Sequence, residues 1–186
     1  VGKLDIGERD QIILKATGED PDYVGGRPFP VIDEKDPKAG LKISHNTSLD
    51  KMSCGSSWTD FDIIWVSDKG NDRYLYGDDI FFYFWNRPDG KQIPNPQACK
   101  RMEITALYEP FDLAGAAMLY HYWADGSPER FVQYVPAIRR IKKMNVTDRS
   151  SPFFGTDFCN DDGSGYVGQP EAMTWKIIEK NTILMP

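Results

Sequence analysis

The chain has 186 residues, of which 40% are hydrophobic and 13% aromatic, so it suits one domain with a substantial core and excludes intrinsic disorder. The 22 Lys and Arg residues against 28 Asp and Glu residues give a formal charge of −6 without a basic segment, which excludes nucleic acid as a partner. The longest apolar run, 80–85, is far shorter than the ~20 residues that cross a bilayer, so we expect a soluble chain whose secretion signal, if it had one, is gone.

The N-terminal part of the chain divides at Gly26. We treat 1–26 as a mixed segment with a short helix over 10–17, because Gly18, Pro21 and Gly25 then interrupt regular structure. Three prolines predict that 27–40 is extended and loop-like. The rest, 27–186, is interpreted as one β domain.

Beyond residue 40 the apolar residues recur with period two, which indicates strands. Segment 60–65 alternates, and 67–72 is a turn that leads into the next strand. In segment 80–85 the side chains on both faces of the strand are bulky, so we expect both faces to be covered. In 101–108 one set of alternate residues is polar, and we assign the face that carries them to solvent. Strands also follow over 118–122 and from 131, where the pattern predicts a bend or a short helical turn before 144. The sequence therefore predicts a mainly β fold, a curved antiparallel sheet with a few short helices.

Catalytic motifs are weak in this sequence. There is no G-x-S-x-G elbow, and a nucleophile with a histidine base would need His45 or His121. We place His121 on the surface of the sheet, and a His45–Cys54 dyad is no better supported than a disulfide at Cys54. We therefore predict that the protein is not an enzyme.

The three cysteines and one acidic loop were considered as metal ligands. No cysteine has a second Cys or a His within five residues, which disfavours zinc, and Cys54–Cys99 is the candidate disulfide because both flank the central hairpin in turn-rich segments. Residues 160–171 have ligand types spaced as in a calcium loop, but Asn160 starts it and Pro170 stands where a helix should begin. A polar turn explains that loop better, so neither a metal nor another cofactor is predicted.

Several residues between 131 and 158 occur in a specific order. They are Tyr134, Pro136, Arg139, Arg140, Arg149, Gly155, Asp157 and Phe158. This order resembles the signature of a large uncharacterised bacterial family labelled outer-membrane lipoprotein-sorting protein, and 23–40 and 109–115 also resemble stretches of that family. We assign these motif residues a structural role and expect Arg139 and Arg140 to pair with Asp148 or Asp157, although the basic cluster 139–143 also suits a solvated face, a lipid headgroup or an acidic partner.

The resemblance implies a fold similar to the lipoprotein carriers LolA and LolB, an incomplete barrel with helices over a concave face and a hydrophobic cavity between them. It further implies export to the periplasm or outer membrane of a Gram-negative bacterium and binding of a lipid or other hydrophobic compound. A transporter resembling the resistance-nodulation-division class and an outer-membrane protein are the implied partners. Family members usually extend beyond the position equivalent to Pro186, so we expect a fragment, a shorter relative, or a barrel that another chain completes.

The aromatic excess fits such a carrier, because rigid rings bind acyl chains without directional bonds. Five aromatic residues are our candidates for the ligand-binding concave face: Trp65, Phe82, Phe84, Tyr120 and Tyr122. The alternative is a structural or assembly subunit whose aromatic surface contacts another protein in a complex.

Overall fold

The structure, a computed structural model, describes residues 3–52, 55–70, 73–162 and 165–182. Its helix and strands are, in chain order, β1 (Leu4–Ile6), β2 (Ile12–Leu14), α1 (Ala39–Met52), β3 (Ser57–Trp65), β4 (Arg73–Tyr83), β5 (Cys99–Glu109), β6 (Ala117–Trp123), β7 (Arg130–Val135) and β8 (Arg140–Met144). Within these ranges, no helix has the length and apolar character needed to cross a membrane.

The main sheet has six strands, β3 to β8, each paired antiparallel with the next strand in the chain. This meander confirms the mainly β prediction. Because each strand pairs with the next one in the chain, the sheet needs no crossover connection. The sheet is curved, and its concave face lies against the chain that follows β8.

The register places alternate residues of neighbouring strands on the concave face. Phe81 of β4 lies opposite Glu103 of β5, Glu103 lies opposite Tyr120 of β6, and Tyr120 lies opposite Phe131 of β7. Residues directly opposite each other share a face of the sheet. A continuous row of side chains therefore crosses the concave face.

The outer face of the sheet is only partly covered. Phe82 points to this face and remains 42% exposed, so the expectation that both faces of 80–85 are covered is wrong for the outer one. In β5 the two faces are the opposite of those expected from the sequence. Arg101 and Thr105, expected to face solvent, are buried, whereas Ile104 and Tyr108, on the apolar face of the strand, are 38% and 47% exposed.

Two clusters of buried side chains make up the core. The first joins β2, the chain up to Phe29, and α1 to the end of β4, through Ile12, Val24, Phe29, Leu49, Tyr83, Trp85 and Ala124. The second lies across the sheet: Leu75, Leu107, Ala116, Met118, Tyr120, Tyr122, Phe131 and Phe153. Together they hold the N-terminal segment and the chain beyond β8 against the sheet.

The N-terminal half departs from the sequence-based expectation in two places. The helix predicted over 10–17 is wrong, because Gly7 and Asp10 form a turn and β2 pairs with β1. The loop after Pro37 is also shorter than expected, since α1 begins at Ala39. Asp36 stabilises the turn that leads into this helix: its Oδ1 accepts the Lys38 N–H at 2.8 Å, and its Oδ2 lies 2.6 Å from Lys42 Nζ.

After β7 the chain proceeds mostly through short 3₁₀ turns. The first, Pro136–Ile138, joins β7 to β8 and confirms the predicted helical turn. Three more, Val146–Ser150, Phe153–Gly155 and Asn160–Asp162, carry the chain back over the sheet. We call 153–162 and 165–167 the covering segment, because its residues close the concave face.

Candidate functional site

A cavity of about 570 Å³ lies between the concave face and the covering segment. Strands β3 to β7 supply its floor. Its lining consists of Thr59, Phe61, Ile63, Asp79, Phe81, Tyr83, Arg101, Glu103, Thr105, Tyr120, Tyr122, Glu129, Phe131, Arg149, Phe153, Phe158, Asn160 and Val167.

Aromatic rings make up much of the cavity wall. The ring of Tyr120 stacks on that of Phe131, with 4.3 Å between centroids, and lies 6.2 Å from that of Tyr122. Phe81 and Tyr83 are nearly parallel at 6.1 Å. Such rings present large apolar surfaces with few rotatable bonds, so a ligand that packs against them costs little side-chain entropy.

A group of charged side chains lies among these rings. The Arg101 guanidinium donates to the Val167 carbonyl at 2.8 Å and lies 4.0 Å from the centroid of the Tyr122 ring. Asp79 accepts a hydrogen bond from Thr105 Oγ1 at 3.0 Å. Glu103 has Arg101 as its nearest cation, with 4.0 Å between Oε2 and Nη2, and no donor in the described part of the chain hydrogen-bonds to it.

Burial has a clear electrostatic effect on the two carboxyl groups. It raises the pKa of Glu103 to about 7, because Arg101 only partly offsets the lost hydration and Asp79 adds a like charge. Burial raises the pKa of Asp79 as well, against the opposing hydrogen bond from Thr105. The cavity thus combines an apolar wall with an under-compensated carboxylate.

Arg149 ties the covering segment to the sheet. Its guanidinium pairs with the buried Glu129 carboxylate, next to β7, while Nε lies 3.4 Å from Asp161 Oδ2. Nη2 donates to the Tyr166 hydroxyl at 3.1 Å, and the guanidinium lies 4.7 Å from the centroid of that ring. We call these contacts the Arg149 clamp.

The structure brings together some of the aromatic residues predicted to bind ligand. Tyr120 and Tyr122 line the cavity, and Trp65 lies on the same face near the end of β3, against the second cluster. Phe82 and Phe84 do not reach the concave face: their rings meet edge to face at 5.1 Å on the outer side, where Phe84 packs against the first cluster. Their predicted position is therefore wrong.

Sequence reasoning missed the alternate parity of the same strands. In 80–85 the side chains that face inward are Phe81 and Tyr83, and in β5 they are Arg101 and Glu103. Polar residues at alternate positions of a strand usually face solvent, but polar side chains also face inward where they line a cavity. The side chains of β5 that point outward are too apolar for an ordinary solvent-facing surface, and this was the signal available in the sequence.

The motif residues occupy different environments. Arg139 and Arg140 are exposed, and within the described ranges neither pairs with Asp148 or Asp157, so that expectation is wrong. Asp148 instead accepts the Asn145 N–H at 2.7 Å.

The other motif residues shape the chain or reach the cavity. Tyr134 lies on the outer face, Pro136 starts the turn before β8, and Gly155 adopts a φ of 80°, a conformation that favours glycine. Asp157 is exposed, whereas Phe158 lines the cavity. Arg149 is the arginine of the motif that is buried.

Both histidines and Cys99 lie outside the cavity. His45 is buried in α1 with Nε2 2.8 Å from the Asp10 carbonyl oxygen, and burial lowers its pKa to about 4. His121 lies on the outer face but is only 8% exposed, stacked on Trp123. Cys99 is a buried free thiol whose pKa burial raises to about 11, and Cys54, its predicted partner, lies outside the described residues.

Two carboxylates of the calcium-like loop form ion pairs. Asp161 joins the Arg149 clamp, and Glu171 pairs with the buried Lys100. Gly163 and Ser164 lie outside the described residues, and the described ones hold no cluster of metal-ligating side chains.

The fold of this chain is similar to that of two solved structures. A putative outer membrane lipoprotein-sorting protein domain from Vibrio parahaemolyticus superimposes with a TM-score of 0.50 at 20% identity, over 73% of this chain and 51% of that one. A DUF1329 family protein from Desulfovibrio piger gives a TM-score of 0.48 at 17% identity, over 74% and 52% of the two chains. The chain thus spans about half the length of these relatives.

The first of these likenesses supports the curved-sheet fold. No curated protein sequence matches the chain. A family profile described as protein of unknown function (DUF1329) matches residues 8–186, which is nearly the whole sequence. The chain therefore belongs to the DUF1329 family.

Proposed function

We propose that this protein binds and carries a lipid or another hydrophobic compound in the cavity on its concave face. The observation that carries the proposal is the cavity itself, whose volume of about 570 Å³ falls within the range of small-molecule sites. Burial of apolar surface contributes about 25 cal/mol per Å². A ligand with an extended apolar part therefore gains affinity from the rings without needing many polar contacts.

We propose binding rather than catalysis as the activity. Two of the described groups that could act as a base or a nucleophile have other roles: His45 contacts the Asp10 carbonyl, and the Cys99 thiol is buried with a raised pKa. Neither lines the cavity. Within it, Glu129 and Arg149 neutralise each other.

The place of action and the partners are also proposed. The Vibrio parahaemolyticus structure is described as a putative outer membrane lipoprotein-sorting protein domain, and the motif at 134–158 resembles the same kind of protein. We propose an exported protein, in the periplasm or at the outer membrane, that passes its ligand between a transporter of the resistance-nodulation-division type and an outer-membrane protein. Cell fractionation followed by in vivo crosslinking tests both points, and a cytoplasmic pool without such partners would contradict them.

The neighbouring residues Phe81 and Phe82 provide a matched test of the cavity. Phe81 lines it, whereas Phe82 points to the outer face. We expect Phe81→Ser to weaken binding of a hydrophobic fluorophore at least fivefold and Phe82→Ser to leave it unchanged. Native mass spectrometry of the purified protein should show a bound lipid. If neither dye nor lipid binds the wild-type protein, the carrier proposal is wrong.

A second function, an assembly subunit, is favoured by the outer face. It exposes Trp58, Ile64, Tyr74, Phe82, Ile104, Tyr108, Tyr134 and Ile141. Monomeric proteins seldom leave large contiguous apolar patches in water. Light scattering over a range of concentrations, with Trp58→Ser as the variant, decides this point: association that the variant abolishes supports an interface, and a monomer at all concentrations opposes it.

A further inference from the structure

We propose that the molecule in the cavity is a cationic amphiphile, an apolar chain with a protonated amine, and that Glu103 binds the amine. This inference rests on the carrier function proposed above and adds the chemical class of the ligand. It comes from the balance of charges and hydrogen bonds among the residues that line the cavity.

The charged groups of the cavity do not balance. Three carboxylates, Asp79, Glu103 and Glu129, share the lining with two guanidinium groups, Arg101 and Arg149. One negative charge is therefore in excess when all five groups are ionised. A carboxylate deprived of water needs a counter-charge or a proton, because its desolvation is otherwise costly.

The partners of each group show which carboxylate is in excess. Arg149 pairs with Glu129 and with Asp161, outside the lining. Asp79 has a hydrogen bond from Thr105. Glu103 is the one of the three with no hydrogen bond from the described residues.

Arg101 does not complete the coordination of Glu103. The guanidinium is oriented by its hydrogen bond to the Val167 carbonyl and by the ring of Tyr122, and it stays 4.0 Å from the Glu103 carboxylate. That separation exceeds a charge-assisted hydrogen bond, which spans about 2.7–2.9 Å. Glu103 thus retains free acceptor sites on the side of the cavity.

The surroundings of Glu103 suit an ammonium group attached to an apolar chain. Tyr120 lies opposite Glu103 on β6 and stacks on Phe131, so a cation at the carboxylate also lies near ring faces. The ionisable groups around it are Asp79 on β4, Arg101 on its own strand and the two tyrosines of β6. An anionic headgroup would meet two carboxylates there and be repelled.

Binding of such a ligand is linked to protons. Since burial raises the pKa of Glu103 to about 7 in the free protein, its protonated and ionised forms are both populated near neutral pH. An ammonium ion favours the carboxylate, so binding releases a proton and strengthens as the pH rises from 6 to 8. A neutral or anionic ligand gives no such increase.

The test uses three probes of equal chain length, n-decylamine, n-decanol and sodium decanoate, each titrated below its micelle concentration by calorimetry at pH 8. We expect decylamine to bind at least tenfold more tightly than decanol, and decanoate most weakly. Glu103→Gln should remove the preference for the amine, so that the ratio of decylamine to decanol affinity falls to about one. Glu109→Gln, at an exposed glutamate of the same strand, is the matched control and should behave as wild type.

The outcomes separate this inference from the carrier function. Equal affinity for the three probes, or tightest binding of decanoate, overturns the cationic ligand but leaves a carrier. If none of the three probes binds, both the cationic ligand and the carrier function are overturned. Should Glu103→Gln fail to fold, the wild-type probe series still decides, together with proton release measured at pH 7 in two buffers of different ionisation enthalpy. Release with decylamine alone supports the proposal, and no release with decylamine opposes it.

Discussion

Arg149 and Arg140 belong to one sequence motif but differ in what surrounds them. Arg140 begins β8 and is exposed, whereas Arg149 is 5% exposed between Glu129, Asp161 and Tyr166. A guanidinium has enough donors to contact several partners at once, which a lysine ammonium does less well. The residue that fixes the covering segment to the sheet is therefore Arg149.

Replacement of Arg149 should be costly. Arg149→Met leaves the Glu129 carboxylate buried without its cation, and we expect the free energy of unfolding to fall by about 3–5 kcal/mol. Arg140→Met, at an exposed position, should change it by less than about 0.5 kcal/mol. Urea unfolding followed by tryptophan fluorescence compares the two, and similar losses in both variants would contradict the clamp.

His45 should make the protein sensitive to acid. Its pKa is about 4 in the folded chain and about 6.5 when unfolded, so the unfolded state takes up the proton first. The stability that depends on neutral His45 is complete above pH 6.5 and is lost as the pH falls towards 4, on the order of 3 kcal/mol. His45→Gln should flatten the difference in stability between pH 7 and pH 4.5, measured by urea unfolding at both; an unchanged difference would contradict it.

At the scale of the elements, periodicity predicted the strands well because each strand of the sheet alternates between two distinct faces. It could not say which face is inside. In β5 the parity containing Arg101 and Glu103 lines a cavity, and only the pairing with Phe81 and Tyr120 across the sheet reveals it. Contacts of this kind join residues far apart in the chain.

Helix α1 was missed for a different reason. Its buried stripe is short, Leu41, His45 and Leu49, and the polar histidine in the middle breaks the apolar pattern. The better signal was Asp36 followed by Pro37, since an aspartate that accepts a backbone N–H and a proline beside it are both common just before a helix start. Short segments such as β1 and β2 contain too few residues for either period to be recognised.

Gly77 determines how closely β4 and β5 approach. A Cβ atom there would lie 2.3 Å from the Ala106 carbonyl oxygen and 2.9 Å from Phe61 Cζ, at the point where the register shifts. We expect Gly77→Ala to lower the free energy of unfolding by about 1–3 kcal/mol or more. At Gly90 an added Cβ meets nothing within 4 Å, so Gly90→Ala should cost only its positive φ, about 1 kcal/mol. Chemical unfolding compares them, and equal losses would argue against the close approach.

At the scale of the whole molecule, an occupied cavity should stabilise the fold. The cavity joins five strands to the covering segment, so a ligand there binds the folded chain and not the unfolded one. At a free concentration one hundred times its Kd, we expect the ligand to add about 2.7 kcal/mol to the free energy of unfolding. Urea unfolding with and without decanol measures this, with Phe82→Ser responding as wild type and Phe81→Ser responding less. Equal unfolding curves with and without a bound ligand would exclude binding to the native state.

The burial of the concave face changes steadily from one side to the other. Thr59 on β3 is exposed, Phe61 is half-buried, and Tyr120, Phe131 and Arg149 near β7 are buried. In the described part of the chain, the β3 side of the cavity is therefore more exposed to water than the β7 side, which the ion pairs of Arg149 close. If the protein carries a ligand as proposed, we expect the ligand to exchange past Thr59 with every contact of Arg149 intact, so that its residence time depends on side chains at the β3 rim and is separable from the stability of the fold.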